Sequence, residues 1–398
     1  MKKMYIFIII LLITCTILIS TKPESKYLVD EQSIATFIDG SRSDSFPEKG
    51  TVAFEKADCD GSANIYWDKD TWGLYVTNLN EKTKCNLYFK TLENAVTKIT
   101  NLASTDTVNI ATDDPDNNIR YIGANPNNYV YFNCNDYNNQ NSETCELWRI
   151  IGVFNNIEKE DGTKENLIKI VRDERIGNYS WDYKSDGTYL NNWSSSTLQQ
   201  LLNSGAYYNA TTGTYYNNST TISKIDLRNI GLKNDKTHNV IESVVWNLGG
   251  TSTYDSISTG LSKHWYGYER GNIVFNGNPT TLNGKIGLMY PSDYGYATSG
   301  GSKTNREQCL NIILSYWHLS DNDDCKNNDY LYKSNYNQWL LSTGSLYSTH
   351  AFILYADGGV NWNGANLPIG VRPTFFLKSD ISIGVGDGTE ANPYQLNI

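Results

Sequence analysis

The chain is poor in the residues that most often carry metal or acid–base chemistry. It has four histidines, which are His238, His264, His318 and His350. No Cys-x-x-Cys pair, Gly-x-Ser-x-Gly elbow or His-Glu-x-x-His sequence occurs, so the common zinc and hydrolase patterns are missing. The sequence therefore predicts no metal site and no catalytic residues.

Positive charge is also scarce. Lys and Arg number 33 against 43 Asp and Glu, which gives a net charge of −10 and a pI near 5.0. Nucleic-acid binding requires a basic patch, so no nucleic-acid partner is expected. Aromatic residues are abundant instead, with 29 Tyr and 10 Trp, and they supply the apolar area for substantial cores.

One apolar run stands at the N-terminus. Lys2 and Lys3 precede residues 4–20, and Lys22 follows them. A basic flank before a hydrophobic stretch is typical of a signal anchor or signal peptide, here residues 1–22. No small-x-small cleavage site ends the run, which favours a retained anchor, although a cleaved signal stays open. The basic flank predicts an extracytoplasmic location for the rest, either anchored to the membrane through residues 4–20 or secreted.

Six cysteines follow this segment in three neighbouring pairs. Sequential pairing is one of 15 connectivities and is favoured because each bridge closes a short loop. An even number of cysteines in an exported chain indicates disulfides rather than a metal site. The predicted bridges are Cys59–Cys85, Cys134–Cys145 and Cys309–Cys325.

The length of 398 residues predicts two or more domains. Period-two alternation at 52–54, 72–76 and 85–89 predicts a small all-β domain over 28–90. Apolar residues at helical spacing in 91–103 predict a helical linker over 91–118. The remainder, 119–398, mixes strand and helix patterns and predicts an α+β module with small antiparallel sheets and long loops.

Strands and helices are predicted within that module. The strand candidates are 129–132, 147–154, 167–171, 285–290, 351–355 and 369–377. Ser196 begins a capping box and predicts a helix that ends near Gly205. Apolar spacing predicts two more helices, at 239–248 and 306–317.

The acidic stretch 113–118 has part of the chemistry of a calcium loop. Ile119 stands where an EF-hand loop would need Gly, so a turn is the preferred interpretation. No cofactor is expected, and calcium is the single ion for which even a weak pattern exists.

Eight stretches of this module form an ordered set of motifs, at residues 118–132, 146–153, 193–203, 287–296, 338–342, 355–359, 370–373 and 386–394. They resemble the motifs of an uncharacterised domain family in surface proteins of gut bacteria. That family is similar to the C-type-lectin-like fold shared with formylglycine-generating (sulfatase-modifying) enzymes. The resemblance covers roughly 275 residues and implies a lectin-like domain over 119–398.

The chain departs from these proteins at the residues that bind copper in the enzymes and calcium in the lectins. The enzymes bind copper through a closely spaced cysteine pair, whereas Cys309 and Cys325 are sixteen residues apart, which suits a structural disulfide. Calcium-dependent lectins use a Pro-containing loop and a Trp-Asn-Asp strand. The nearest sequence here is 361–364, without the partner loop, and 357–359 is better explained as a hairpin turn.

Aromatic residues in the loops are the remaining candidates for contacts with a ligand, since loops on a rigid core concentrate function. The candidate ligand-binding residues are Trp265, Tyr266, Tyr268, Tyr294, Tyr296 and Trp362. Four other tryptophans are expected in the core, namely Trp148, Trp246, Trp317 and Trp339. Arg372 is expected in a buried structural ion pair.

These observations predict an exported bacterial cell-surface protein with a non-catalytic lectin-like module. The expected ligand is an extracellular glycan or protein. Two alternatives stay open: an enzyme related to the formylglycine-generating oxidases, and a purely structural component of the envelope.

Overall fold

The computed structural model describes residues 33–60, 63–68, 71–77 and 83–398. The apolar segment 4–20 lies outside these residues, so its role in export or anchoring stays a prediction. Within the described ranges, no helix is long and apolar enough to cross a membrane. The chain divides into two compact units, Met1–Thr91 and Leu92–Ile398.

The described part of the first unit is built from strands, as the alternation predicts. A four-stranded sheet has the order β2-β1-β6-β3, with β1 and β6 parallel, and β4 and β5 form a separate hairpin. The strands are β1 (Ser33–Ile38), β2 (Ser41–Ser43), β3 (Val52–Cys59), β4 (Asn64–Asp68), β5 (Gly73–Thr77) and β6 (Lys84–Thr91).

Aromatic packing and one disulfide hold this unit together. The Trp67 ring lies 5.1 Å from the Phe89 ring and 5.5 Å from the Phe54 ring. Cys59 and Cys85 are directly opposite each other on β3 and β6 and form a disulfide. The bridge matters because so small a unit buries little apolar surface.

The second unit mixes helices with sheets, and over the structure as a whole strand exceeds helix at about 36% against 15%. This agrees with the predicted α+β class at that level of detail. Its helices are Ala95–Ala103, Thr197–Asn203, Asp235–Val240, Ser262–Glu269, Pro291–Gly295, Arg306–Leu310 and Asp323–Asn327, with 3-10 turns at Trp193–Ser195, Leu314–Tyr316 and Ser320–Asn322. The helix Ala95–Ala103 packs against the core of this unit, which begins at Leu92 and so includes residues 92–118 of the predicted linker.

Two sheets form the framework of the second unit. The larger has the order β18-β23-β12-β11-β9-β8, with β10 also paired to β11, and the other has the order β13-β22-β19-β20-β21. The strands are β7 (Glu93–Asn94), β8 (Ile110–Ala111), β9 (Ile119–Tyr121), β10 (Tyr129–Phe132), β11 (Glu146–Glu158), β12 (Lys164–Arg172), β13 (Asn178–Tyr179), β14 (Thr212–Tyr215), β15 (Ser223–Asp226), β16 (Val244–Asn247), β17 (Thr281–Gly284), β18 (Ile286–Gly287), β19 (Gln338–Thr343), β20 (His350–Leu354), β21 (Val360–Gly364), β22 (Ile369–Gly370), β23 (Thr374–Leu377), β24 (Ser382–Val385) and β25 (Gln395–Asn397).

The centre of the larger sheet carries a close approach that only glycine allows. Residues 148–154 of β11 are all buried. A Cβ atom on Gly152 would lie 1.9 Å from the Ile119 carbonyl oxygen on the neighbouring β9. Glycine therefore lets β9 pair closely with β11, and this places the loop before β9 beside the exposed end of β11.

Local signals predicted several elements correctly. The helix Thr197–Asn203 begins after Ser196, whose Oγ accepts a hydrogen bond from the Gln199 amide at 3.1 Å. The turn at 357–359 joins β20 to β21, with the Tyr355 amide donating to the Gly359 carbonyl at 2.9 Å. The four tryptophans expected in the core, Trp148, Trp246, Trp317 and Trp339, are all buried.

Four predicted elements are wrong or shorter than expected. The strand at 285–290 is limited to β18, Ile286–Gly287. Residues 239–248 are not a helix, because the helix ends at Val240 and β16 pairs with β17. The β-branched Val244 and Val245 suit this strand. The helix at 306–317 ends at Leu310, and the strand at 369–377 is interrupted between Gly370 and Thr374, where Pro373 lacks an amide donor.

Arg372 also departs from expectation. It is buried, but its guanidinium donates to the carbonyls of Arg172 and Leu331 and to Gln338 Oε1. Within the described residues, Arg372 forms no ion pair within 4.0 Å, so the expected ion pair is replaced by neutral acceptors.

All three disulfides have the predicted pairing, Cys59–Cys85, Cys134–Cys145 and Cys309–Cys325. Disulfides persist in oxidising compartments outside the cytoplasm. The bridges therefore indicate an oxidising, extracellular environment for both units.

Candidate functional site

A polar cavity of about 360 Å³ opens on the second unit beside the larger sheet. Its volume lies at the lower end of the range of small-molecule sites, roughly 300–1,000 Å³. We call it the polar cavity. It is lined by Asp116, Asn118, Phe154, Asn155, Asn156, Ile157, Glu158, Lys164, Lys169, Val245, Trp246, Asn247, Tyr266, Arg270, Thr281, Tyr290 and Phe376.

The floor of the polar cavity is aromatic and surrounds a buried ammonium group. Lys169 on β12 is fully buried, and its Nζ lies 4.3 to 5.6 Å from the centroids of four rings that also line the cavity. Those rings belong to Phe154, Trp246, Tyr290 and Phe376. Faces of aromatic rings attract a cation, so the floor holds Lys169 in place.

Asp293 is the acidic partner of this lysine. Its Oδ2 lies 2.5 Å from Lys169 Nζ, and its Oδ1 lies 3.1 Å from Arg120 Nη1. Burial lowers the pKa of Lys169 to about 8 despite the opposing attraction of Asp293. Burial alone would raise the pKa of Asp293, but the charges of Lys169 and Arg120 outweigh it and lower that pKa.

The buried charges continue to the loop before β9. Arg120 Nε lies 2.6 Å from Asp114 Oδ2, and both side chains are buried. Asp114 Oδ1 in turn accepts the amide of Asn118 at 2.8 Å. Paired in this way, the charges avoid the penalty of an isolated buried ion, and they fix the loop that forms one wall of the cavity.

The opposite wall is the helix Ser262–Glu269, which contributes Tyr266. The Tyr266 hydroxyl donates to Asp116 Oδ2 at 2.5 Å and accepts from Asn118 Nδ2 at 2.9 Å. Burial raises the pKa of Tyr266, so it remains a neutral hydroxyl at physiological pH. The helix and the loop 114–118 are thus joined across the cavity by one phenol.

Arg270 follows this helix and lies flat on Tyr266. Its Cζ is 3.4 Å from the centroid of the Tyr266 ring. Its Nη1 donates to the Tyr266 carbonyl and to Glu269 Oε2, both at 3.2 Å. Across the described part of the chain, Nε and Nη2 contact no acceptor, and the side chain is 25% exposed, so these donors face the solvent of the cavity.

Glu269 lies behind Arg270 and is fully buried. Its carboxylate accepts the Ser292 amide at 2.8 Å and the Ser292 hydroxyl at 2.5 Å. Burial raises the pKa of Glu269 to about 7, more than Arg270 and Ser292 lower it. This carboxyl therefore titrates near neutral pH.

The six predicted ligand-binding residues do not form one exposed surface. Trp265 and Tyr294 are fully buried, so in this conformation neither can contact a ligand. The Trp265 ring packs 4.6 Å from Phe352, and the Tyr294 hydroxyl donates to the Gly358 carbonyl at 2.9 Å. Their aromatic area is used for the core, which corrects the expectation that they lie on loops.

The other four separate into two groups. Tyr266 lines the polar cavity, although it is only 4% exposed, whereas the equally buried Tyr296, whose ring lies 6.5 Å away, does not line it. Tyr268 and Trp362 are half-buried and belong to a different aromatic cluster around Trp265 and Phe352. Tyr266 is therefore the predicted residue that the structure places at the cavity, and its role in binding stays a prediction.

The remaining residues of the site were missed because each signal was weak alone. Lys169 interrupts the apolar run of β12, and a lysine at a buried strand position calls for a partner. That signal could have indicated Lys169. Its partner Asp293 lies 124 positions further along the chain, and nothing local to either residue identifies the pair.

No cluster of candidate metal ligands is found in the described ranges. They contain no group of three or more His, Cys, Asp or Glu side chains that could hold a metal ion. Asp114, in the stretch with partial calcium chemistry, pairs with Arg120 instead. Cys309 and Cys325 are buried and joined to each other.

Comparisons with protein-family models, with curated proteins and with solved structures found no match. The site must therefore be interpreted from its own geometry.

Proposed function

We propose that this chain is an exported protein whose second unit binds a saccharide of an extracellular glycan in the polar cavity. The unit would have a non-catalytic, lectin-like fold. Its mixed composition of helices and small sheets, joined by long loops, agrees with that fold, and the disulfides agree with an extracellular location.

The lining of the cavity is the observation that carries the proposal. A sugar presents hydroxyl groups that both donate and accept, together with apolar C–H faces. The cavity offers acceptors in Asp116 and in the side-chain oxygen of Asn155, whose Nδ2 already donates to two backbone carbonyls. It offers a donor in Arg270, and the side-chain amides of Asn156 and Asn247 can donate and accept. The rings of Phe154, Trp246, Tyr290 and Phe376 contribute the apolar part of the lining, which suits the C–H groups of a sugar.

The size and rigidity of the cavity favour a saccharide over a folded protein ligand. A volume of about 360 Å³ suits one or two sugar rings rather than a protein surface. The walls are also held by buried ion pairs before any ligand arrives. A site that is already organised loses less entropy when it binds.

The alternative of a redox enzyme has less support. An oxidase of the formylglycine-generating kind would need accessible thiols, whereas Cys309 and Cys325 are each fully buried in one disulfide. Neither cysteine lines the polar cavity.

The proposal is tested by screening the full-length protein on a glycan array and measuring the best ligands by calorimetry. Thr281→Trp places a large ring at the exposed rim of the cavity and should abolish binding. Thr221→Trp, at an exposed position outside the cavity, is the matched control and should bind normally. Absence of saccharide binding by the folded protein, or equal binding by both variants, would refute the proposal.

A further inference from the structure

Asp116 and Arg270 contact different parts of the Tyr266 side chain. The Tyr266 hydroxyl donates to Asp116 Oδ2 at 2.5 Å, and the Arg270 Cζ lies 3.4 Å above the Tyr266 ring. All three residues line the polar cavity. One phenol therefore sets the separation between a group that only accepts hydrogen bonds and a group that only donates them.

Both groups keep unused hydrogen-bonding capacity. Tyr266 occupies Oδ2 of Asp116, while Oδ1 contacts no donor in the described part of the chain. Arg270 uses Nη1 for Tyr266 and Glu269, which leaves Nε and Nη2. A ligand between them would meet one free acceptor oxygen and two free donor nitrogens, which carry three N–H groups.

Asp116 and Arg270 bring one charge of each sign to the cavity, so a ligand with a single charge meets one attraction and one repulsion. Lys164 pairs with Glu158 at 3.4 Å, and Lys169 pairs with the buried Asp293. Asp116 forms no salt bridge to any described residue, and the Arg270 guanidinium remains exposed to the cavity. A carboxylate ligand would face Asp116, a cationic ligand would face Arg270, and a neutral ligand meets neither repulsion.

We propose that the polar cavity recognises a neutral pyranose through two neighbouring hydroxyl groups. One hydroxyl donates to Asp116 Oδ1, and the oxygen of the adjacent hydroxyl accepts from Arg270. Hydrogen bonds to charged groups are the stronger ones, so this pair determines which sugars bind. The inference rests on the proposed function and adds to it the class of sugar and the residues that select it.

Tyr266 acts as a positioning residue in this arrangement. Its hydroxyl fixes the rotation of the Asp116 carboxylate, and its ring fixes the plane of the Arg270 guanidinium. Tyr266→Phe keeps the ring but frees the carboxylate. The variant should therefore bind the sugar more weakly while still distinguishing a sugar from its deoxy analogue, but by a smaller factor.

The experiment is calorimetry on the full-length protein with three matched probes. These are a neutral methyl pyranoside from the array, its analogue lacking one of two adjacent hydroxyls, and the corresponding uronic acid. The deoxy analogue and the uronic acid should each bind at least about tenfold more weakly than the neutral sugar. Asp116→Asn and Arg270→Gln should each weaken binding of the neutral sugar by a similar factor.

Two control variants separate recognition by Asp116 and Arg270 from general effects of charge. Asp186→Asn removes an exposed carboxylate that bonds Thr188 in a turn, and Arg228→Gln removes an exposed guanidinium paired with Asp226. Neither residue lines the cavity, so both variants should bind the neutral sugar normally. The near-ultraviolet circular dichroism of every variant establishes that it is folded.

The possible failures are distinguishable. If the deoxy analogue binds as well as the neutral sugar, or the uronic acid binds more tightly, recognition through Asp116 and Arg270 is overturned. The proposed saccharide-binding function is then unaffected. If the protein binds a free amino acid and no sugar, with the carboxylate on Arg270 and the ammonium on Asp116, the proposed function and the recognition of neighbouring hydroxyls are both overturned. Absence of binding to every probe by the folded protein also overturns both.

Discussion

Lys169 Nζ and Asp293 Oδ2 are 2.5 Å apart, and neither side chain is appreciably exposed to solvent. Lys169 lines the polar cavity, and its ion pair with Asp293 joins β12 to the helix Pro291–Gly295. An ion pair in this position stabilises the fold only while both partners are present.

Removal of the lysine charge should therefore be costly. Lys169→Met leaves Asp293 buried with Arg120 as its remaining charged partner, and we expect a loss of roughly 3 kcal/mol in the free energy of unfolding. Lys164→Met, on the same strand but with an exposed side chain, should change it by less than about 0.5 kcal/mol. Urea titrations of both variants measure the difference. Similar losses for the two would mean that the buried pair contributes no more than an exposed one.

Glu269 should make stability depend on pH. Burial raises its pKa in the folded protein to about 7 from an ordinary value of 4.5, so the folded state holds the proton more tightly than the unfolded state. Its contribution to stability is complete below pH 4.5 and is lost as the pH rises through 7. The charged and titratable groups that interact with it are Arg270, Asp293, Lys169 and Tyr290, and Ser292 donates hydrogen bonds to it.

Glu269→Gln tests this dependence because the amide does not titrate. The free energy of unfolding, measured in urea at intervals between pH 4 and pH 8, should fall with pH more steeply in the unaltered protein than in the variant. Asp186→Asn changes an exposed carboxylate elsewhere and should keep the steeper slope. Parallel curves for Glu269→Gln and the unaltered protein would contradict the assignment.

The disulfide Cys309–Cys325 should be structural. It closes a loop with a sequence separation of 16, for which loop entropy predicts a stabilisation of about 3 kcal/mol. The double variant Cys309→Ser/Cys325→Ser should lose about that much stability while its affinity for the sugar is unchanged under conditions where it is folded. Loss of affinity in a demonstrably folded variant would indicate a functional role for the bridge.

The free edge of the five-stranded sheet should depend on two asparagines for protection. Strand β21 pairs with β20 on one side, and the Trp362 and Gly364 amides donate to the side-chain oxygens of Asn361 and Asn363, both at 2.8 Å. Exposed strand edges that keep free amides can pair with another chain. These two side chains occupy the amides that would otherwise be available.

Asn361→Ala/Asn363→Ala should therefore increase self-association. Sedimentation velocity over a range of concentrations should show dimers or larger species that the unaltered protein lacks. Asn327→Ala, at an exposed position at the end of the helix Asp323–Asn327, is the matched control and should remain like the unaltered protein. A monomeric double variant would show that other features protect this edge.

Interactions within short stretches of sequence were sufficient to predict several parts of the fold. The Ser196 cap acts three residues away, and each disulfide closes a loop between neighbouring cysteines. The alternation of β6 likewise appears in a stretch of eight residues. Each of these depends on contacts whose partners can be found by counting along the chain.

The candidate site was decided by tertiary structure. Asp116 and Tyr266 are 150 positions apart, and Lys169 and Asp293 are 124 positions apart. Val244 has helical spacing with Val240, yet pairing with β17 makes it part of a strand. The sequence predicts that Trp265 is a loop residue in contact with a ligand. It lies in the core instead, because Phe352 and Tyr254 pack against it.

The sequence by itself determined the residue chemistry, the cysteine pairs and the local caps and turns. Only the tertiary structure decided which aromatic rings are buried and which charges meet at the polar cavity. The physical reason is that burial and long-range ion pairs depend on how distant strands and helices pack, and packing can override local preference.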